Sequence, residues 1–234
     1  MSREYINNPR KYGSAPFRVA VIHGGPGGAG EVAPVARELS AERGILEPLQ
    51  TAMSVSGQAE ELKLLLENNA GLPVILIGYS WGAWLSIILA AKYPSLAAKL
   101  ILVGSGPFEA KDADATSRTR LDRMKKDYVP DAYNPIDGPD EETDFRPDIF
   151  KSVWKEAAEL RKSGKLIEIV KDVRCPVVAI HGDYDPHPAE GVRRPLSAIL
   201  KDFRFILLEH CGHKPWIEKA ARERFYSVLR DELR

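Results

Sequence analysis

The pentapeptide Gly78-Tyr79-Ser80-Trp81-Gly82 stands out first. It follows the apolar run Val74-Ile75-Leu76-Ile77 and opens the apolar segment Ala83-Trp84-Leu85-Ser86-Ile87-Ile88. A serine held on a sharp turn between a strand and a helix presents its hydroxyl to an incoming carbonyl, and glycines flank it because neighbouring backbone passes close by. The chemistry is acyl transfer with Ser80 as nucleophile.

A serine hydroxyl needs a base. The five histidines are His23, His181, His187, His210 and His213. His213 lies in Glu209-His210-Cys211-Gly212-His213, past the apolar run Phe203 to Leu208, where a loop residue can reach the edge on which Ser80 stands. His210 sits nearer the strand end, where packing or capping is the expected role, so His213 is the candidate base. A carboxylate must orient the imidazole. In His181-Gly182-Asp183-Tyr184-Asp185-Pro186 both aspartates qualify. Asp183, directly after Gly182, suits a turn-tying role, and Asp185 has more freedom to reach His213.

Two backbone N–H groups must converge on the developing oxyanion. One is expected from Trp81 and the other from the glycine run His23-Gly24-Gly25-Pro26-Gly27-Gly28. Pro26 has no N–H, so Gly25 is preferred and Gly24 is second. The run lacks the spacing of a dinucleotide loop and the lysine of a P-loop. His181, Asp183, Asp185 and His187 alternate in a way that zinc or manganese could use, but an extended, proline-stiffened segment does not bring alternate residues to one point, so no metal is expected. No cofactor is implied. Trp84, Tyr128 and Trp154 are candidates for an apolar substrate pocket.

These loops need a frame. Short apolar runs recur at 17–22, 45–49, 73–77, 99–103, 176–180 and 203–208, with helical patterns at 60–66, 83–93 and 220–233. The alternation predicts an α/β fold with a doubly wound, mostly parallel sheet. The carboxyl ends of the strands then share one edge, the place where ligands bind in such sheets. The 70 residues 105–174 carry no comparable strand run. With an amphipathic stretch from Ile149 to Leu160, they are expected to form a small helical lid inserted over that edge. No internal repeat is evident.

The chain of 234 residues is expected to be a single domain over 1–234. Lys plus Arg and Asp plus Glu each total 33, so a nucleic-acid partner gets no electrostatic support. The charged first residues do not read as a signal peptide, and no run nears the ~20 apolar residues of a membrane span. A cytoplasmic protein acting on a small molecule is expected, with Cys175 and Cys211 as free thiols. Oligomeric state is not encoded in any visible pattern.

With the glycine loop 23–28, the serine pentapeptide, Gly182-Asp183-Tyr184-Asp185 and Gly212-His213 taken together, the chain resembles the α/β-hydrolase superfamily over nearly its whole length. The order Ser80, Asp185, His213 is that superfamily's triad order. The first loop and Ser80-Trp81-Gly82 are similar to the proline iminopeptidase branch, which implies a serine attacking an acyl carbonyl under a helical cap. Only 16 residues precede Phe17, so the antiparallel strands that usually open this sheet are expected to be short or missing. The 105–174 insertion is smaller than the peptidase cap and offers no identifiable acid for a free amino terminus. Hydrolysis of a small ester or amide, an ester by preference, is therefore expected, with an aminopeptidase and a non-catalytic receptor as alternatives. The serine at 80 speaks against a haloalkane dehalogenase, whose nucleophile there is an aspartate.

Overall fold

The computed structural model describes residues 8–124, 131–136 and 143–234. The first half runs β1 (Arg10–Tyr12), β2 (Phe17–Ile22), β3 (Gly28–Ala29), α1 (Ala33–Leu39), β4 (Gly44–Glu47), α2 (Val55–Asn69), β5 (Val74–Tyr79), α3 (Trp81–Lys92) and β6 (Ala97–Val103). It continues through α4 (Ala110–Met124), β7 (Asp144–Phe145), α5 (Pro147–Lys162) and α6 (Lys165–Val170). The chain closes with β8 (Val177–Gly182), α7 (Glu190–Ile199), β9 (Phe203–Leu208) and α8 (Arg222–Glu232).

Seven of these strands form one sheet in the order β1-β4-β2-β5-β6-β8-β9. Every pairing is parallel except that of β1 with β4. The short β1 is the antiparallel opening strand that the sequence leaves in doubt. The run expected to reach Leu49 ends its pairing at Glu47, because Pro48 has no N–H to continue the ladder.

Strand alternation builds two cores. Ala20, Ile22, Leu76, Leu100, Leu102, Val177 and Ala179 face a cluster shared with α2, α3, α5, α6 and α7. Their sequence neighbours Val19, Val21, Ile77, Ile101, Val103, Val178 and Ile180 face a second cluster with α1 and α8. A strand buried on both faces must be apolar at every position, which is why these runs show no polar alternation. The α/β sheet with helices on both faces is as expected. Helix α3 lies under β5 with Trp81 through Ala90 all buried.

The described residues of the interval 105–174, expected to form a helical lid, divide between the core and the sheet's carboxyl edge. Ile149, Val153 and Ala157 of α5 and Leu166 and Val170 of α6 are buried in the same core as α3. Helix α6 thus belongs to the helix layer on the sheet. Helix α4 buries only Thr116, and β7 pairs with β3 near the first glycine loop. Among the described residues, no helix is long and apolar enough to cross a membrane.

Candidate active site

Four loops leave the carboxyl edge of the sheet and meet. Ser80 follows β5, Asp185 follows β8, His213 follows β9 and Gly25 follows β2. Tight packing explains the glycines around the serine. A Cβ on Gly78 would lie against the Gly82 carbonyl, and one on Gly82 against the Ile22 carbonyl, both far inside contact distance. Ser80 itself has φ 52° and ψ −112°, a region that side-chain-bearing residues rarely occupy. The strain lifts its Oγ out of the strand and above the first turn of α3.

His213 Nε2 is 3.2 Å from Ser80 Oγ, and His213 Nδ1 is 2.8 Å from Asp185 Oδ2. The other Asp185 oxygen accepts the His187 N–H at 2.8 Å. This fixes the tautomer: Nδ1 donates to the carboxylate and Nε2 is left to accept the serine proton. Burial alone would lower the His213 pKa, but the Asp185 charge and hydrogen bond outweigh it and hold the imidazole above its ordinary value. Burial would likewise raise Asp185, yet the surrounding histidines, His213 foremost, hold it well below the usual carboxylate range. Each member favours the charged form of the other.

The rejected alternatives have occupations of their own. Asp183 accepts the N–H groups of His210 and Cys211, both at 3.0 Å, and so ties the turn. His210 is exposed, with φ 53°, and packs on Tyr133. Of the alternating set weighed as a metal site, His181 Nε2 is 3.0 Å from the His187 carbonyl while Asp183 turns to the loop. Asp185, His187 and His213 do cluster, but Asp185 spans His213 and the His187 backbone, and His187 Nδ1 meets Thr116 Oγ1 at 3.0 Å. Burial pushes the His187 pKa down to about 3, so this ring is neutral near pH 7.

A cavity of about 660 Å³ opens over Ser80. Gly25 and Trp81 line it, as does Trp154. A Cβ on Gly25 would project into open space, whereas one on Gly24 would strike the Tyr79 ring at 2.8 Å. Trp81 is the first residue of α3, where backbone N–H groups have no acceptor within the helix. Its indole is tied down by Gln58 Oε1 at 2.8 Å. Trp84 lies behind the wall rather than on it: it is buried, bonds the Gly106 carbonyl at 3.1 Å and stacks on Trp154 at 5.9 Å. Tyr128 lies outside the described residues.

Sequence reasoning missed the supports of the His213 loop. Glu218, fully buried, accepts N–H bonds from Tyr133, Asn134 and Gly212 at 2.7–2.8 Å. The Asp131 carbonyl accepts the His213 N–H at 2.7 Å, and the Asp131 carboxylate takes a bidentate bond from Arg120. A glutamate shortly before a helix gives no sign that its carboxylate points inward, so only the fold exposes this role.

The model of the Alpha/beta hydrolase family matches residues 19–227. A pimeloyl-[acyl-carrier protein] methyl ester esterase of Nitrosomonas europaea is 24% identical over 161 residues, covering 60% of this chain and 64% of that protein. The matched stretch thus spans under two thirds of that relative. The crystal structure of VinJ superposes with a TM-score of 0.72 at 20% identity, covering 96% of this chain and 93% of that one. A carboxylesterase structure from the thaumarchaeon Nitrososphaera gargenis gives 0.69 at 17% identity, covering 96% and 93%.

Proposed function

Since the chain belongs to the alpha/beta hydrolase family, we propose that it is a serine hydrolase cleaving a small ester through an acyl-enzyme. The reading rests on one observation: Ser80 Oγ, His213 and Asp185 form a continuous relay with contacts of 3.2 and 2.8 Å. Ser80 Oγ attacks the substrate carbonyl while His213 Nε2 takes its proton. Gly25 and Trp81 N–H groups receive the negative charge that forms on the carbonyl oxygen. The intermediate expels the alcohol, which leaves with the proton from His213, and a water activated by the same imidazole releases the acid. Asp185 holds the ring and stabilises its cationic form. This chemistry requires no cofactor and no metal.

An ester is preferred over a peptide with a free amino terminus, the substrate of the proline iminopeptidase branch that the loops resemble. Among the described residues, the two acids lining the cavity are engaged, Glu31 with Lys214 at 3.2 Å and Asp131 with Arg120. Neither is left to bind an ammonium group. The relative named for methyl ester hydrolysis agrees with this preference. The free thiols Cys175 and Cys211 fit the reducing cytoplasm we propose as its location.

The test is covalent labelling with a fluorophosphonate, together with turnover of nitrophenyl esters beside aminoacyl anilides. Wild type should be labelled and Ser80→Ala should not. Absence of label in folded wild type would favour a ligand-binding receptor, and anilides turning over faster than every ester would favour the peptidase.

A further inference from the structure

Among the described residues, three cationic side chains reach the cavity over Ser80: Arg120, Lys214 and Arg161. Two are matched, Arg120 by Asp131 at 2.8 Å and Lys214 by Glu31 at 3.2 Å. Arg161, in the last turn of α5, has no side-chain hydrogen bond and no ion pair among the described residues. Its guanidinium rests instead by the aromatic faces of Trp84, at 5.4 Å, and Trp154, at 5.9 Å. Among the described residues, the acid whose charge acts on it is Asp114, which is exposed on α4 and forms no ion pair with it.

The placement is built by the helix. Residues 150, 154 and 161 recur at helical spacing and share one face of α5. Phe150 and Trp154 stack at 6.0 Å, and Trp154 stacks on Trp84 at 5.9 Å. The adjacent stripe of Ile149, Val153 and Ala157 is buried in the core, so this face cannot rotate away. An arginine stays charged, and half-burying its five donors is unfavourable unless something accepts from them. Aromatic faces offset part of that cost but accept no in-plane hydrogen bond.

Resting on the serine-hydrolase reading, we propose that Arg161 binds a carboxylate carried by the substrate away from its scissile carbonyl. Phe150 and Trp154 would flank the apolar spacer between the two groups. The substrate class is thus an ester bearing a free carboxylate, such as the half-ester of a short dicarboxylic acid. A carboxylate fits better than a phosphate dianion, because among the described residues the cavity offers a single uncommitted cation, and a planar guanidinium matches a carboxylate bidentately.

Two substrate pairs test this, one for each side of the ester bond. They are mono-4-nitrophenyl glutarate against 4-nitrophenyl pentanoate, and 4-acetoxybenzoate against phenyl acetate. Wild type should favour the carboxylate member of at least one pair by kcat/KM. In Arg161→Gln that ratio should fall by about tenfold to a hundredfold, as loss of a charge-assisted hydrogen bond implies, and Arg161→Lys should restore part of it. A variant that was merely damaged would lower both members together and leave the ratio in place. Equal kcat/KM within both pairs in wild type, or a preference that survives Arg161→Gln, overturns the proposal.

If no ester is turned over and no fluorophosphonate label appears, the hydrolase reading falls separately. Arg161 is then judged by tryptophan fluorescence, since Trp84 and Trp154 adjoin it. Glutarate should give a saturable change in wild type that Arg161→Gln lacks, and no change in wild type overturns the proposal.

Discussion

Glu218 accepts the Gly212 N–H at 2.8 Å, one residue ahead of the imidazole of His213. The same carboxylate holds the N–H groups of Tyr133 and Asn134, so one buried side chain joins the histidine loop to the segment 131–136. Bonds to a charged acceptor contribute more than neutral ones, and the three donors would lose their partner together. Glu218→Ala should therefore cost about 3 kcal/mol of stability and lower kcat by loosening His213. Glu218→Gln, which keeps one acceptor oxygen, should cost less. Urea denaturation decides it: an alanine variant within about 0.5 kcal/mol of wild type would show that the contact holds nothing in place.

The relay makes a prediction about pH. His213 must be neutral to accept the serine proton, and Asp185 holds its pKa above the ordinary histidine value. The kcat/KM profile should thus rise with pH through a midpoint above about 6.5. Asp185→Asn removes the charge and leaves burial, which acts in the opposite direction. Its midpoint should move to lower pH while the plateau falls by about 10⁴-fold, by analogy with other serine triads. An unchanged midpoint in Asp185→Asn would separate Asp185 from His213 electrostatically.

Backbone strain at Ser80 gives a stability prediction. Its φ of 52° with ψ of −112° is costly for any residue with a Cβ, on the order of 1–3 kcal/mol. Glycine escapes that cost but loses more chain entropy on folding, about 0.5–1 kcal/mol. Ser80→Gly should therefore be more stable than Ser80→Ala by about 1 kcal/mol, though both lack the nucleophile. Equal urea midpoints for the two variants would mean that the elbow stores no strain.

What the sequence reveals follows its physics. The strands were legible because Val19–Ile22, Val74–Ile77 and Leu100–Val103 are apolar at successive positions, as burial on both faces demands. The loops bearing Ser80, Asp185 and His213 were legible because each follows such a run. Helix α7 was not, since Gly191 and Pro195 interrupt its pattern. Pro195 cannot donate to the Gly191 carbonyl four residues back, and the Phe108 N–H fills that place at 3.1 Å, a partner 83 residues away in the chain. Helix α1 was hidden by its brevity and by Pro34 near its start. Arg161 was missed for a related reason: a basic residue in the last turn of a helix is ordinary, and only α5 packing on Trp84 turns it toward the cavity.

Buried neutral histidines should make the fold acid-sensitive. His23 is fully buried, with Nδ1 donating to the Gly24 carbonyl at 3.0 Å and Nε2 accepting the Gln50 N–H at 3.2 Å. Protonation would set a new N–H against the Gln50 donor, and burial already pushes the His23 pKa down to about 4. The unfolded chain, with its histidine near 6.5, takes up the proton first, so stability is full above about 6.5 and falls as pH drops toward 4. The loss from this residue is on the order of 3 kcal/mol, and His187, lowered to about 3, acts with the same sign. His23→Gln can keep a donor and an acceptor without titrating, so it should flatten part of the decline. Urea midpoints measured from pH 7 to pH 4 test this, and parallel declines in wild type and variant would show that His23 is not the group responsible.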